Sequence, residues 1–466
     1  MNRHLLRSIS FVTLLLLAML LIAATFMEKY YGTAITTSHV YHSPLFIATW
    51  AVLALSALAY IACVSRQATL IMLHVSLIIV LLGAFTSFIT SKRGELPLSR
   101  NAVPASMFTT ADGDLERLPF RITLERIDIH NINGQVADYH AQIAVREGER
   151  ERIMEVSLND PVTIEGHSLC IKSVSDGHVS LMVSYDPWGE PISYMGYVMT
   201  LASFIALLFD RKSQWKSLLK RLGRKERKKK NNYTISKIRR SAAIVFALTI
   251  LGIIRWYNTG LFPVTNSNEC LLFFVWASLL MAIIATYKKE LKPIAATFFA
   301  LGGITLFAIP LVWDREGGMI PPILRTPLLG IHVSAVIAAY VLLGCTALNS
   351  AVAIWYGTIR KNCEKMEKMA VTGRILLYPA TLLLMTGIFV GAVWANISWG
   401  RYWGWDPKEV WALITLLTCS ILFHTRSLPF MAKALNFHIF ALIAFLSMLF
   451  TFFGVNYLFG GLHSYM

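Results

Sequence analysis

Long apolar runs separated by short polar or charged connections dominate the chain, and one stretch of about a hundred residues breaks the pattern. About eleven runs, several near twenty residues, are long enough to cross a hydrocarbon core about 30 Å thick as helices. They lie near 11–26, 44–63, 69–90, 194–209, 241–256, 268–287, 293–311, 330–356, 374–394, 408–424 and 434–454. The first follows Arg3 and Arg7 in the manner of a signal peptide, but no good small-x-small cleavage site comes after it, so it reads as an uncleaved helix. From about Ser91 to Glu190 the apolar residues alternate instead, as in Tyr139, Ala141, Ile143 and Val145, or Val179, Leu181 and Val183. That period of two predicts half-buried strands, in a small β-sandwich or open barrel.

Composition agrees with the pattern. Of 466 residues, 55% are hydrophobic and 15% charged, which excludes an ordinary soluble enzyme. The net charge of +16 by itself suits a nucleic-acid partner, but it is concentrated in one connection. Arg211 to Arg240 holds fourteen Lys or Arg against Glu226. Such a block beside membrane helices is the positive-inside signal, so this loop is expected in the cytoplasm and no nucleic-acid partner is expected. Counting helices outward puts the alternating stretch, where acidic residues outnumber basic ones, in the periplasm, with the C-terminus through Met466 on the same side.

The expected fold class is an all-α polytopic membrane protein of about eleven transmembrane helices, with a small β-rich periplasmic domain inserted after the third helix. The expected divisions are 1–90 (three helices), 91–190 (the β-rich domain), 191–210 (a fourth helix), 211–240 (the basic loop) and 241–466 (seven helices). The location implied is a bacterial inner membrane. Six cysteines include no C-x-x-C pair, which indicates neither a disulfide framework nor a zinc site, and without C-x-x-C-H the chain is not itself a c-type cytochrome.

Candidate chemistry starts at Trp394-Ala-Asn-Ile-Ser-Trp399-Gly-Arg-Tyr-Trp403-Gly-Trp405-Asp406-Pro-Lys-Glu-Val-Trp411, five of the twelve tryptophans in eighteen residues on the periplasmic side. An interfacial belt of tryptophans is the plain reading. The functional one is a flat aromatic platform for a planar macrocycle, with Asp406 and Pro407 turning the chain into the next helix. Histidines separate the two, because imidazole is a principal axial ligand of haem iron and an ionisable group inside a membrane is costly. His332 and His463 flank the tryptophan loop on the outer side. His424 lies about 20 Å down the helix from Trp411 at 1.5 Å per residue, and His74 about 7 Å above the inner end of its own helix. The two depths match, so a second pair can hold haem near the cytoplasmic leaflet. His39 and His42 lie in the first outer loop and read as solvated, while His4, His130, His140, His167, His178 and His438 have no partner legible in the sequence.

These residues resemble the System II cytochrome c biogenesis proteins, in which a ResB-like half and a CcsA-like half can be fused as one cytochrome c synthase. Trp399-Gly400-x-Tyr402-Trp403-x-Trp405-Asp406-Pro407-Lys408-Glu409-x-Trp411 is similar to that family's tryptophan-rich haem-handling signature. By position His332 and His463 resemble the periplasmic haem ligands, and His74 and His424 the transmembrane pair. The N-terminal half is similar in outline, through Tyr185-Asp-Pro-Trp-Gly-Glu-Pro-Ile-Ser-Tyr-Met-Gly, although its soluble part is short for the family.

The resemblance implies export of haem b, which is both substrate and bound ligand, and its covalent attachment to apocytochrome c. Apocytochrome c, membrane lipid and a periplasmic thioredoxin-like thiol reductant are the implied partners. Trp399, Trp403, Trp405, Asp406 and Trp411 are the expected catalytic set, and Arg325, Arg401 and Lys408 are candidates to pair with haem propionates. Two rivals stand beside this reading: a haem transporter or chaperone without ligase activity, and a b-type electron-transfer protein.

Overall fold

The computed structural model describes residues 3–459 apart from 66, 133–134, 176, 226–234, 288–291, 313–320 and 426. The middle of the basic loop, His463 and Met466 therefore lie outside the described residues. Twelve helices carry the argument: α1 (Arg3–Tyr31), α2 (Pro44–Val64), α3 (Ala68–Thr90), α4 (Gly189–Phe209), α5 (Gln214–Lys225), α6 (Ile235–Thr259), α7 (Ser267–Tyr287), α8 (Lys292–Val312), α9 (Pro327–Thr358), α10 (Cys363–Trp399), α11 (Pro407–Ile421) and α12 (Ala434–Leu449). Nine described helices are long and apolar enough to cross a membrane; α8 is counted as a shorter apolar helix, and α11 has only fifteen residues. The chain is a multi-pass membrane protein.

It is not all-α. Residues 92–185 form an eight-stranded antiparallel sheet of β1 (Lys92–Ser99), β2 (Ala105–Thr110), β3 (Leu115–Ile132), β4 (Gln135–Glu147), β5 (Arg150–Ser157), β6 (Val162–Ile164), β7 (His167–Ser175) and β8 (His178–Tyr185). The order is β5-β4-β3-β2-β1-β8-β7-β6, and the two ends approach each other to give a nearly closed barrel. The all-α expectation fails because eight paired strands with a core of their own constitute a second structural class within the chain. An open barrel was one of the two forms expected for this stretch.

Alternation sets which residues face the barrel interior. Val179, Leu181 and Val183 are at most 1% exposed, as are Ala141 and Ile143 on β4, and they pack with Leu96, Phe108, Ile122 and Leu169. β1 and β8 pair along their full lengths, from Lys92 opposite Tyr185 to Ser99 opposite His178. These are also the strands continuous with α3 and α4, so the sheet is tied at its base to a helix hairpin.

The hairpin is close-packed because glycine permits it. A Cβ on Gly83 would overlap Ser193, one on Gly189 would overlap Ser87, and one on Gly196 would lie 2.8 Å from the Val80 nitrogen. Backbones can approach this closely only where side chains are small. The larger helical core gathers α7, α8, α9, α10 and α12 around Tyr340, Leu377, Leu384, Phe437 and Met448.

Candidate functional site

Two groups of side chains lie on opposite sides of the helical part. On the side away from the sheet, His74 stands on α3 and His424 follows α11. The sequence predicts helix through residue 424, but α11 ends at Ile421, and His424 occupies the turn beyond it. The two rings lie 6.4 Å apart between centroids and 86° apart in plane. His74 Nδ1 is 2.8 Å from the Leu70 carbonyl oxygen, and His424 Nδ1 is 2.8 Å from the Ser420 carbonyl oxygen. A carbonyl only accepts, so in the neutral ring the proton sits on Nδ1 and Nε2 keeps its lone pair for a metal.

The spacing fits one iron between two imidazoles. Two metal–nitrogen bonds of about 2 Å each, plus the half-width of each ring, separate the centroids by roughly 6 Å. Their chain neighbours Leu73 and Phe423 belong to one apolar cluster with Phe204, Tyr378 and Leu416, with Phe423 4.6 Å from Tyr378 and 6.1 Å from Phe204.

His438 shows the contrasting arrangement. It is fully buried, with Nδ1 2.9 Å from Ser350 Oγ and Nε2 3.2 Å from the Met366 carbonyl oxygen. Both nitrogens are engaged in helix packing, as its plain reading implied.

The second group lies on the sheet side. His332, in the second turn of α9, has Nδ1 2.7 Å from the Gly387 carbonyl oxygen on α10, and its ring sits against Gly391, where a Cβ would come within 2.6 Å. Glycine at 391 makes room for the imidazole. His463 cannot be placed beside it, being outside the described residues.

The tryptophans depart from the expected platform. Helix α10 continues through Trp399 and ends at Gly400, which takes φ +63°, so the irregular segment is only 400–406. Trp394 and Trp399 are thereby helical, 4.9 Å apart and inclined at 63°, with Trp394 buried against Leu324 and Leu329. Trp403 and Trp405 meet edge to face at 86°. Trp411 lies on α11 against Phe450, 4.1 Å away. The five rings share no common plane, because helix geometry orients three of them and the loop only two.

Trp405 is held from the N-terminal half of the chain. It has φ +58°, stacks on Tyr41 at 4.5 Å and 9°, and meets Phe46 at 5.2 Å and 79°. Tyr41 and Phe46 were not among the sequence candidates, and no motif there points to them. Asp406 caps α11: its carboxylate accepts from the Lys408 amide at 3.0 Å, while Glu409 accepts from the amides of Gly404 at 2.9 Å and Asp406 at 3.3 Å. The Asp406 side chain also accepts from the Glu409 amide, and with the Asp406 amide donating to Glu409 this completes a capping box.

Among the cations, Lys408 stands in the first turn of α11. Arg401 folds over Gly404, and Arg325, next to Leu324 of the Trp394 cluster, has a buried Nε without an acceptor among the described residues. His39 is exposed beside the Ile35 carbonyl, and His42 lies 4.8 Å from Phe88. Of the remaining histidines, His4 contacts Arg7, His167 stacks on Tyr185 and His178 bonds Ser99. His130 and His140 adjoin one another across the sheet, and His140 also contacts Asp138 and Glu155.

Comparison with known proteins follows the same division. Residues 264–463 match the family model described as Cytochrome C assembly protein, and residues 63–187 match that of the ResB-like family. The chain is 33% identical over 229 residues to Protein NrfI of Wolinella succinogenes, an alignment covering 48% of this chain and 25% of that protein. It therefore spans about a quarter of NrfI's length. It is 33% identical over 265 residues to the Cytochrome c biogenesis protein CcsA of Solanum lycopersicum, and 34% identical over 263 residues to that of Atropa belladonna. Each alignment covers 47% of this chain and 82% of the relative. With a CcsA match over four-fifths of that protein's length and a ResB-like segment ahead of it, the chain belongs to the System II cytochrome c biogenesis family, joining ResB-like and CcsA-like portions in one polypeptide.

Proposed function

We propose that the chain carries haem b across a bacterial inner membrane and attaches it to apocytochrome c, acting as a holocytochrome c synthase. The observation that carries this reading is the meeting of His74 and His424, from the two halves of the chain, at 6.4 Å with both Nδ1 atoms against backbone carbonyls. In this reading the basic side is cytoplasmic, and the barrel, the Trp403–Trp405 loop and the C-terminus are periplasmic.

Haem is substrate here. His74 and His424 receive it near the inner leaflet, and His332 and His463 take it on the periplasmic side, against Trp399, Trp403, Trp405 and Trp411. Arg325 and Arg401 are the cations in reach of its propionates there.

Ligation joins each thiol of a C-x-x-C-H segment to one vinyl group. Sulfur bonds to the inner vinyl carbon, the thiol hydrogen goes to the terminal carbon, and the C=C bond becomes single. No oxidant is consumed. A thioredoxin-like reductant is needed only to keep the thiols reduced. The protein's share is to fix the macrocycle and the peptide in register, which converts a bimolecular encounter into an oriented one.

The test is co-expression with an apocytochrome c, under reducing conditions, in a host stripped of its own maturation proteins, followed by haem staining of a denaturing gel. Covalent haem on the cytochrome, lost with His332→Ala and with His463→Ala, supports the synthase. If wild type binds haem but leaves the apocytochrome bare, the chain is a transporter. Haem that stays stoichiometrically bound and cycles with a quinone identifies an electron-transfer protein.

A further inference from the structure

Between the barrel and the tryptophan loop runs a buried chain of hydroxyl groups that the proposed function does not use. Tyr402 is 5% exposed, and its hydroxyl lies 2.8 Å from Ser87 Oγ and 3.0 Å from Ser193 Oγ. Ser87 is in the last turn of α3 and Ser193 near the start of α4. Ser87 also donates to the Asp186 carboxylate, which can only accept when ionised. The donors are thereby ordered: Ser193 donates to the Tyr402 oxygen, Tyr402 to Ser87, and Ser87 to Asp186. Asp186 in turn accepts from the Gly189 amide at 2.9 Å and lies 3.6 Å from Arg93 on β1.

A second set of contacts runs in parallel. A Cβ on Gly400 would lie 3.1 Å from the Ser184 side chain on β8, and Ser398 donates to Asn159 Oδ1 at 3.0 Å in the connection after β5. The loop carrying Trp403 and Trp405 is thus fastened at its first residues to β1, β8, α3 and α4 together. Buried hydroxyl chains of this kind are fully satisfied only in one arrangement, so they select that arrangement over neighbouring ones.

We propose that Tyr402 is a positioning residue that makes the barrel and the tryptophan loop one rigid unit, so that a thiol-bearing polypeptide held by the barrel stands in fixed register with a macrocycle held at the loop. This role rests on the synthase reading for its consequence, but the coupling itself is a property of the fold. The ring is not required to touch substrate. Removing only the hydroxyl should leave the aromatic packing against Tyr194, 6.3 Å away, in place.

Tyr402→Phe in the full-length protein, purified in detergent, tests the idea by hydrogen exchange and by single-turnover haem attachment. The expected result is a joint loss of amide protection in 182–185 and 398–405, with the haem spectrum assigned to His74 and His424 unchanged. The single-turnover rate constant of attachment should fall on the order of tenfold to a hundredfold, with the apocytochrome concentration that gives half the maximal rate nearly constant, because misplacement and not binding is altered. The Ser87→Ala/Ser193→Ala double variant should reproduce both effects.

Wild-type protection in Tyr402→Phe overturns the coupling. A uniform loss of protection that includes the inner haem site also overturns it, by reducing Tyr402 to a stability residue. Joint loss of protection with the single-turnover rate constant unchanged overturns the positioning role. Should the wild-type chain attach no haem at all, the synthase reading fails while hydrogen exchange still decides the coupling.

Discussion

The two ends of the helical part solve different problems. On the basic side, two histidines from opposite halves of the chain meet, and each is oriented by one carbonyl of its own helix or turn. On the sheet side, a seven-residue segment is held by a glycine helix end, a capping box, a Tyr41 stack and the Tyr402 hydroxyl. The first arrangement leaves two imidazole Nε2 atoms at a spacing suited to one metal. The second is suited to fixing several large rings in one geometry. Binding needs few groups of the right type; orientation needs many groups in mutual contact.

The largest effect separates the proposed ligand histidines from a packing histidine. His74→Ala or His424→Ala is expected to lower haem retention at the inner site by about a hundredfold or more, read from the absorption of purified protein, because the proposed axial bond would be lost. His438→Ala should instead leave haem content unchanged and destabilise the fold by about 1–3 kcal/mol, since it strands Ser350 and the Met366 carbonyl. Equal haem loss in all three variants would erase the distinction between the histidines.

A smaller effect concerns whether Asp406 acts as more than a cap. Asp406→Ala should cost about 1 kcal/mol in thermal unfolding, and Asp406→Asn, which preserves a capping oxygen, only a few tenths. If capping is its whole task, Asp406→Asn also keeps haem attachment near wild type; a loss of activity without loss of stability would assign chemistry to the carboxylate.

The smallest effect lies at the base of the loop. Burial pushes the Cys170 thiol up to about 12. A raised thiol pKa means that the reactive thiolate is absent until the pH approaches that value. Iodoacetamide at pH 8 should therefore leave Cys170 unmodified by mass spectrometry in the folded protein and alkylate it after denaturation. Labelling in the native state would mean that β7 and the Ser398 carbonyl, 3.9 Å from the thiol, separate readily.

Much of this was legible in local pattern. Runs near twenty residues marked the helices, and alternation at 139–145 and 179–183 marked strands whose inward residues are indeed buried. The spacing along α11 and α3 put His424 and His74 at one depth. The flat platform was not borne out, because the residues beyond Trp394 were read as loop while α10 runs on through Trp399. The apolar run stops near 394, but the backbone continues helical until Gly400 supplies the left-handed conformation that ends it. Tyr41 escaped notice because nothing in a short outer loop announces that one aromatic ring will stack on another 364 positions later.

By itself, then, the sequence determined that long apolar segments suited to a membrane alternate with polar connections, where strands replace helices, which connection carries the basic block, and which residue types are equipped to bind a metal. These are local properties, set by run length, period and charge. The tertiary structure decided which strands are neighbours, that the sheet's ends approach, how the tryptophan rings tilt, and that His74 and His424 face each other. Those depend on how each helix is rotated about its axis and on contacts between residues hundreds of positions apart. Hydrophobic periodicity constrains neither, because a helix in an apolar solvent can bury any face that its neighbours fit.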